Sequence, residues 1–320
     1  MNAGDRIPLG KTGLQVPPMG TGVWAWGDRT YWGYGRSYQE ADVRQAFDCL
    51  IKAGLNFFDT AELYGNGLSE RILGRFVQET GAQVITATKF MPYPWRIRQN
   101  SLLTALQNSL KRLQMEQVDL YQIHQPLPPR RVEVWAQALA EAVKAGLTRA
   151  VGVSNYNEEQ MRRAADVLGR YGIPLASNQV EYSLLQRKVE KNGLLRLCQD
   201  MGITLIAYSP LGMGLLTGKY TAQNPPPGIR GKRYSRQGLE KLQELTGLLR
   251  EIGQGHGGKT PPQVALNWTI CKGTFPIPGA KNARQAEENA GALGWSLTPD
   301  EIQALEQAAD RFQAHVRPRF

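Results

Sequence analysis

Residues 53–65, Ala53-Gly-Leu-Asn-Phe-Phe-Asp-Thr-Ala-Glu-Leu-Tyr-Gly65, decide the fold. Upstream, residues 40–53 carry apolar side chains at helical spacing, and Gly54 stands where a helix end takes up a left-handed residue. Residues 55–60 are then an apolar run too short for a helix and the right length for a buried strand. The same unit recurs downstream. Gly146 separates a helical stretch over 131–145 from a strand over 149–154, and Gly202 separates 190–201 from 203–209. Runs at 19–24, 84–90, 118–124, 176–181 and 274–278 complete eight predicted strands, with further helices over 69–79, 99–113 and 158–171. Strand, helix, glycine, strand, repeated, implies parallel strands joined by helical crossovers.

Eight such units either close into a barrel or stay an open sheet, and the strand ends separate the two. They finish on Trp24, Asp59, Lys89, His124, Ser154-Asn155, Gln179, Tyr208-Ser209 and Gly279. In an open sheet the edge strands lie far apart, whereas a closed barrel brings every C-terminal end to one mouth, where catalytic loops gather. An α/β fold is therefore expected: a (β/α)8 TIM barrel forming one domain over residues 1–320. Gly10-Lys-Thr-Gly13, between the apolar pieces 7–9 and 14–16, predicts an N-terminal β-hairpin ahead of the first barrel strand. Between strands 7 and 8 lies a long loop, about 219–259, with Pro225-Pro-Pro-Gly228 and the basic residues Arg230, Lys232 and Arg233. That composition suits a lid or binding loop, with a helical stretch over 239–252 inside it.

The 320 residues are ample for a core without covalent staples. A composition of 42% hydrophobic and 21% charged residues excludes a disordered or coiled-coil protein. Cys49, Cys198 and Cys271 are too few and too scattered for a disulfide framework or a zinc site, so no metal is expected and a reducing compartment fits. The net charge of +10 invites a nucleic-acid reading. The basic residues, however, come as scattered pairs (Arg96/Arg98, Lys111/Arg112, Arg130/Arg131, Arg162/Arg163), which are solvated helix faces, and no nucleic-acid partner is expected. No run reaches the roughly 18 apolar residues of a membrane span. The opening Met1-Asn-Ala-Gly-Asp-Arg-Ile-Pro8 lacks an apolar signal core. The expectation is a cytoplasmic monomer or weak homo-oligomer with no membrane partner.

Four strand-end residues make one chemical device: Asp59, Tyr64, Lys89 and His124. A tyrosine hydroxyl, with an ordinary pKa of about 10, is a poor proton donor at neutral pH. A neighbouring ammonium stabilises its phenolate and is expected to bring the pKa down towards the working range. A carboxylate beyond the ammonium keeps the lysine charged and in place, and an imidazole beside the hydroxyl orients a carbonyl. Taken one at a time, Asp59 reads equally as a helix cap, Tyr64 as a packing residue, Lys89 as a rim lysine and His124 as a core histidine. Their occurrence on successive strands favours the joint reading.

The chain resembles the aldo-keto reductases over nearly its whole length. The resemblance rests on Gly20-Thr-Gly-Val-Trp24, Asn56-Phe-Phe-Asp-Thr-Ala-Glu-Leu-Tyr-Gly65, Thr88-Lys89, Ile123-His124, Gly152-Val-Ser-Asn155, Asn178-Gln-Val-Glu-Tyr182 and Ala207-Tyr-Ser-Pro-Leu-Gly212. It implies reduction of a small-molecule carbonyl substrate by NADPH, yielding NADP+, at the barrel mouth. Tyr64 then matches the general acid, Lys89 and Asp59 the pair that tunes it, and His124 the carbonyl-orienting residue. Asn155 and Gln179, with Ser154 beside them, match the grip on the nicotinamide carboxamide, since an amide complements an amide. Tyr208 matches the ring stacked on the nicotinamide, and Trp24 and Asp59 border it. Ser209, Leu211, Gly212 and Lys219 correspond to pyrophosphate contacts; Gly279, Lys281, Gln285, Glu288 and Asn289 correspond to adenosine contacts. Asn282 reads at the same time as the N-cap of a surface helix there. Many members of the family have Lys-Ser and a later arginine where this chain has Gly279-Ala280 and Gln285, as in the branch related to potassium-channel β subunits. Lys281 or Arg284 then supplies the charge for a 2′-phosphate. That branch also suggests the alternative of a non-catalytic, cofactor-sensing binding module, against which the complete tetrad argues.

Six aromatics, Trp24, Trp26, Tyr31, Trp32, Tyr34 and Tyr38, crowd the first mouth loop, where an 8% background predicts about one. A stacking wall for a flat aldehyde is expected from Trp24 and Trp32, with Tyr93 and Trp95 opposite, completing a substrate set with Tyr64 and His124. The run Ala25-Trp-Gly-Asp-Arg29 with Trp32-Gly-Tyr34 resembles the pyridoxal reductase-like branch, which makes pyridoxal the named candidate. Gly253-Gln-Gly-His-Gly-Gly-Lys-Thr260 matches a P-loop letter for letter. A helix precedes it and Pro261-Pro262 follow, however, so it reads as a connector with Thr260 as N-cap. Gly212-Met-Gly-Leu-Leu-Thr217 is a weak near-match to GxGxxG.

Overall fold

A hairpin of β1 (Ile7–Pro8) and β2 (Gln15–Val16) opens the computed structural model, which describes residues 1–98, 100–226 and 234–313. Eight parallel strands follow: β3 (Thr21–Gly22), β4 (Phe57–Asp59), β5 (Ile85–Phe90), β6 (Val118–Ile123), β7 (Thr148–Ser154), β8 (Leu175–Glu181), β9 (Thr204–Tyr208) and β10 (Phe275–Pro276). Each pairs with its neighbour in sequence. Gly20 and Gly22 donate backbone hydrogen bonds to the Pro276 and Pro278 carbonyls (3.0 and 3.1 Å), so the first strand meets the last and the barrel closes. The seam strands are shorter than their sequence runs because prolines offer carbonyls but no N–H.

Crossover helices α1 (Glu40–Lys52), α2 (Leu68–Thr80), α3 (Asn100–Leu113), α4 (Val132–Lys144) and α5 (Glu158–Gly169) fall where helical spacing places them. The stretch 190–201 divides into α6 (Lys188–Lys191) and α7 (Leu194–Met201), because Gly193 takes φ 81° and interrupts the helical path. Beyond β9 the chain forms a 3-10 turn (Gly212–Thr217) and α8 (Arg236–Gly255), whose Ser235 cap accepts from the Gly238 N–H. The long connection between the seventh and eighth barrel strands is thus partly helical. Its basic residues Arg230, Lys232 and Arg233 lie outside the described residues, as does Gln99.

The P-loop look-alike is a helix-to-helix connector. The amides of Gly258 and Lys259 donate to the Gly253 carbonyl (3.1 and 2.8 Å), capping α8, and Thr260 N-caps α9 (Pro261–Cys271). Then α10 (Ala283–Ala290) starts on its Asn282 cap, and α11 (Pro299–Gln313), which no sequence pattern singled out, packs against α8.

Alternation along the strands stacks the barrel interior in layers. Leu9, Leu14 and Val16 of the hairpin plug the bottom, beneath Phe57, Ala87, Leu120, Ala150, Ile206 and Phe275. Two residues further along β4, β5 and β6 the same inward face carries Asp59, Lys89 and Gln122. Gly152 makes room there: a Cβ on it would stand 2.3 Å from Ser177 Oγ and 3.2 Å from Gln122 Cγ. Gly152→Ala is therefore expected to lower the unfolding free energy by about 1–3 kcal/mol, as overpacking does, read as a fall in urea midpoint at unchanged slope.

Candidate active site

The sequence brings Tyr64 to the mouth by a sharp turn directly after β4. Gly65 and Asn66 take φ 57° and 55°, and a Cβ on Gly65 would sit 2.7 Å from the Gly27 carbonyl. Only glycine lets the Tyr64 segment pass so closely under the first mouth loop. Glu62 anchors the same segment from the other side, accepting from the Met91 N–H (2.8 Å) and pairing with Arg96.

Lys89 is 0% exposed. Its ammonium pairs with Asp59 Oδ2, donates to the Thr60 carbonyl at 2.9 Å and reaches the Tyr64 hydroxyl at 3.4 Å. Asp59 Oδ1 accepts from Gln122 Nε2 (3.1 Å) and Gln179 Nε2 (2.8 Å), so both carboxylate oxygens are satisfied. Gln122 was not among the expected site residues. The signal for it was its place two residues beyond Leu120 on β6, which puts it on the inward face just before His124. His124 stands edge-on to Tyr64, ring centroids 5.7 Å apart, with its Nδ1 buried and unpartnered.

Burial is the largest influence on all three titrating groups. It pushes the Tyr64 hydroxyl up, with Lys89 pulling down and Asp59 up, and the net direction is upward. This departs from the expected lowering: in this dry site the loss of hydration outweighs the ammonium. Tyr64 therefore holds its proton at neutral pH. For Lys89, burial works downward but Asp59 and Tyr64 more than offset it, leaving the amine raised and charged. His124 is pushed down to about 3 by burial and then by Lys89, so it is neutral. The arrangement is a neutral phenol donor and a neutral imidazole, with a cation positioned to receive a phenolate. It can give a proton to an oxygen bound beside Tyr64 and His124.

The expected amide grip lies next to this group. Asn155, at φ 62°, donates to the His124 carbonyl (3.1 Å) and Ser154 Oγ (3.0 Å), and its Oδ1 accepts from the Tyr208 hydroxyl (3.1 Å). Ser154 Oγ in turn donates to the Gln179 carbonyl (2.8 Å). Ser209, Leu211 and Gly212 follow β9 in the turn at the mouth, and Lys219 lies exposed beyond it, over the Tyr220 ring. At the end of β10, Lys281 N–H donates to Gln285 Oε1 (3.0 Å) and Asn289 Nδ2 to the Gly279 carbonyl (3.3 Å), with Glu288 on the same helix. An amide pair, a phenol ring and flanking lysines are a donor set that suits a carboxamide, a flat ring and phosphates.

The aromatic loop divides in two. Trp26, Tyr34 and Tyr38 are core, Trp26 donating to the Ala280 carbonyl (2.8 Å). Trp24 stacks on Tyr64 (5.8 Å) and on Tyr31 (5.0 Å), with Trp32 edge-on (5.5 Å). Asp28, also unforeseen, holds this group by accepting from Trp24 Nε1 (2.9 Å) and the Tyr31 and Trp32 amides. Trp95 is 72% exposed and stacks on Tyr93, away from the Trp24 stack in its ring contacts. Among the described residues no cluster of metal-ligating side chains occurs, and no helix is long and apolar enough to cross a membrane.

Residues 18–310 match the profile of the aldo/keto reductase family. The chain is 45% identical over 319 residues to the chloroplastic pyridoxal reductase of Arabidopsis thaliana, covering 95% of this chain and 86% of that one. Its fold is similar to a glycerol dehydrogenase from Gluconobacter oxydans (TM-score 0.85, 26% identity, 99% and 98% of the two chains). It is also similar to a Klebsiella pneumoniae aldo/keto reductase in complex with NADP and acetate (TM-score 0.74, 25% identity, 100% and 98%).

The site predicts a specific titration. With a folded pKa of about 3 against an ordinary 6.5, His124 takes up its proton first in the unfolded chain. Its contribution to stability is complete above about pH 6.5 and is lost as pH falls towards 3. NMR is expected to show the His124 imidazole silent from pH 8 to 5, its signal assigned by its loss in His124→Gln.

Proposed function

The chain belongs to the aldo/keto reductase family and is an oxidoreductase, and from that premise we propose that it reduces aldehydes or ketones to alcohols with NADPH. The observation that carries this reading is the placement of the buried Lys89 ammonium between the Asp59 carboxylate and the Tyr64 hydroxyl, with neutral His124 at the same spot. Bound NADPH supplies the hydride. His124 and the Tyr64 hydroxyl hold the carbonyl oxygen, and Tyr64 passes its proton to that oxygen as negative charge develops on it. Lys89 stabilises the phenolate left behind, and Asp59, held by Gln122 and Gln179, keeps Lys89 charged and aimed. Asn155 and Gln179 would hold the carboxamide and Tyr208 the nicotinamide ring, Gly212, Ser209, Leu211 and Lys219 would hold the pyrophosphate, and Gly279, Lys281, Gln285, Glu288 and Asn289 would take the adenosine end with its 2′-phosphate.

An aromatic aldehyde is the favoured substrate class, because Trp24 and Tyr31 present a stacked pair beside Tyr64. Pyridoxal is the first compound to try, given the name of the Arabidopsis relative. The reading includes one domain over residues 1–320 and a cytoplasmic setting. It includes no nucleic-acid partner, since surface arginines such as Arg44, Arg149 and Arg163 are engaged by carboxylates.

Oxidation of NADPH by 4-nitrobenzaldehyde and by pyridoxal, followed by absorbance, tests the reading. Tyr64→Phe is expected to lower kcat by about 10²–10⁴-fold, the range for a positioned proton donor, with the NADPH Kd within about twofold because the hydroxyl acts on substrate oxygen. Near-normal turnover by that variant would remove Tyr64 as the donor. Absence of turnover in folded, NADPH-saturated wild-type protein would instead favour a cofactor-sensing module.

A further inference from the structure

Lys89 and Tyr64 come from different elements, a strand and the turn after β4, and the ion pair with Asp59 fixes only the lysine. Two carboxylates flank Tyr64 in the sequence, Glu62 before it and Glu70 in the first turn of α2 after it. Both reach across to β5 and its end. Glu62 accepts from the Met91 N–H at 2.8 Å, and Glu70 Oε1 accepts from the Thr88 hydroxyl at 2.6 Å. Lys89 lies between those two points of attachment. We propose that Glu62 and Glu70 are positioning residues, two straps that set the distance between the Tyr64 hydroxyl and the Lys89 ammonium, with Thr88 as the point that the second strap grips. The proposal rests on the reading above, in which Tyr64 gives the proton and Lys89 steadies the phenolate left behind.

Each carboxylate is held by its own arginine. Glu70 is buried, and its Oε2 accepts from Arg112 Nε of α3 at 2.5 Å, while Arg112 also donates to Ser109 Oγ at 3.0 Å. Glu62 pairs with Arg96 on the far side of Tyr64. A carboxylate out of water is tolerated as an ion only with such a partner. An ionised carboxylate has no proton to give, so the Thr88 hydroxyl has to donate, which fixes its direction. Gly67, three residues after Tyr64, lets the arginine stem pass: a Cβ on it would stand 2.6 Å from Arg112 Cδ. Ser69, beside Glu70, donates to the Val23 carbonyl (2.8 Å) and accepts from the Thr60 hydroxyl (3.0 Å). The start of α2 is thereby locked to the residues that follow β3 and β4 as well as to β5.

Side chains alternate along β5, so Thr88 faces out of the barrel while Lys89 faces in. The second strap therefore acts from outside the pocket and touches neither substrate nor cofactor. At 3.4 Å the contact between ammonium and hydroxyl is already long for a hydrogen bond, and a small outward drift of the turn would break it. The penalty for that drift falls on the transition state, where negative charge appears on Tyr64, and hardly on the ground state. An ion pair that served folding alone would change how much protein folds and leave the rate of the folded enzyme as it was.

Single-turnover reduction of 4-nitrobenzaldehyde by the NADPH-loaded chain reads the chemical step apart from product release. Thr88→Val keeps the branched shape and removes the donor. Its rate is expected to fall about five- to fiftyfold, within the roughly 10²-fold that a 1 Å misplacement can cost, with the NADPH Kd within about twofold. Thr88→Ser restores a hydroxyl donor and is expected to stay within about twofold of the wild-type rate. If the valine variant does not fold, Glu62→Met cuts the other strap and leaves its partner Arg96, 25% exposed, in reach of water. It is expected to slow the same step at unchanged NADPH affinity. Folded variants that keep the wild-type rate, even with a lowered urea midpoint, would overturn the proposal, as would a loss in Thr88→Ser equal to that in Thr88→Val. If wild-type protein itself does not oxidise NADPH with the aldehyde, the reductase reading fails first and the straps with it.

Discussion

A lysine and an aspartate out of contact with water, at the floor of the barrel mouth, set the terms for everything above them. Moving two such charges out of water is costly, and their attraction compensates only when every remaining lone pair and proton finds a partner. Here Asp59 Oδ1 takes two amides, from Gln122 on β6 and Gln179 on β8, while Lys89 also holds the Thr60 carbonyl. Four strands, β4, β5, β6 and β8, must therefore keep register for the pair to be tolerated. Removing one partner from a buried pair of this kind typically costs about 3–5 kcal/mol. The requirement reaches as far as Gly152, whose missing side chain is the space that Gln122 and Ser177 occupy.

The same dry setting gives the protonation states that a reductase needs. Phenol and imidazole are both neutral because neither charged form is hydrated, and the amine alone stays ionised because it has a carboxylate beside it. A phenol that keeps its proton until charge develops on the substrate is a better donor in waiting than one already ionised. The ammonium contributes most after the proton has left.

Around this centre the loops are held by polar contacts rather than by length. Glu62 ties the Tyr64 turn to the segment after β5, Asp28 organises Trp24, Tyr31 and Trp32, and Tyr31 reaches Met213 beyond β9 (3.1 Å). The first mouth loop thus touches elements from both ends of the chain, and its aromatics form a continuous line from Tyr64 to Lys281.

The repeating pattern of apolar runs, helical spacing and terminal glycines was enough to foresee parallel strands, their order and their closure, since backbone periodicity and glycine conformation are local properties. The strand-end chemistry was legible because a closed parallel barrel brings the C-terminal end of every strand to one mouth, which put Asp59, Lys89 and His124 together. Only the folded chain could decide which of six crowded aromatics are core and which line the mouth, because a loop has no period from which to read a face. Likewise, Gln122 and Glu62 take their roles from partners dozens of residues away, and Asp28 takes its role from N–H groups three and four residues along its own loop, which only the loop's folded path brings to it. The direction of the Tyr64 shift also belongs to the tertiary structure, since it depends on how much water the assembled barrel leaves around the hydroxyl, a quantity that no stretch of sequence contains.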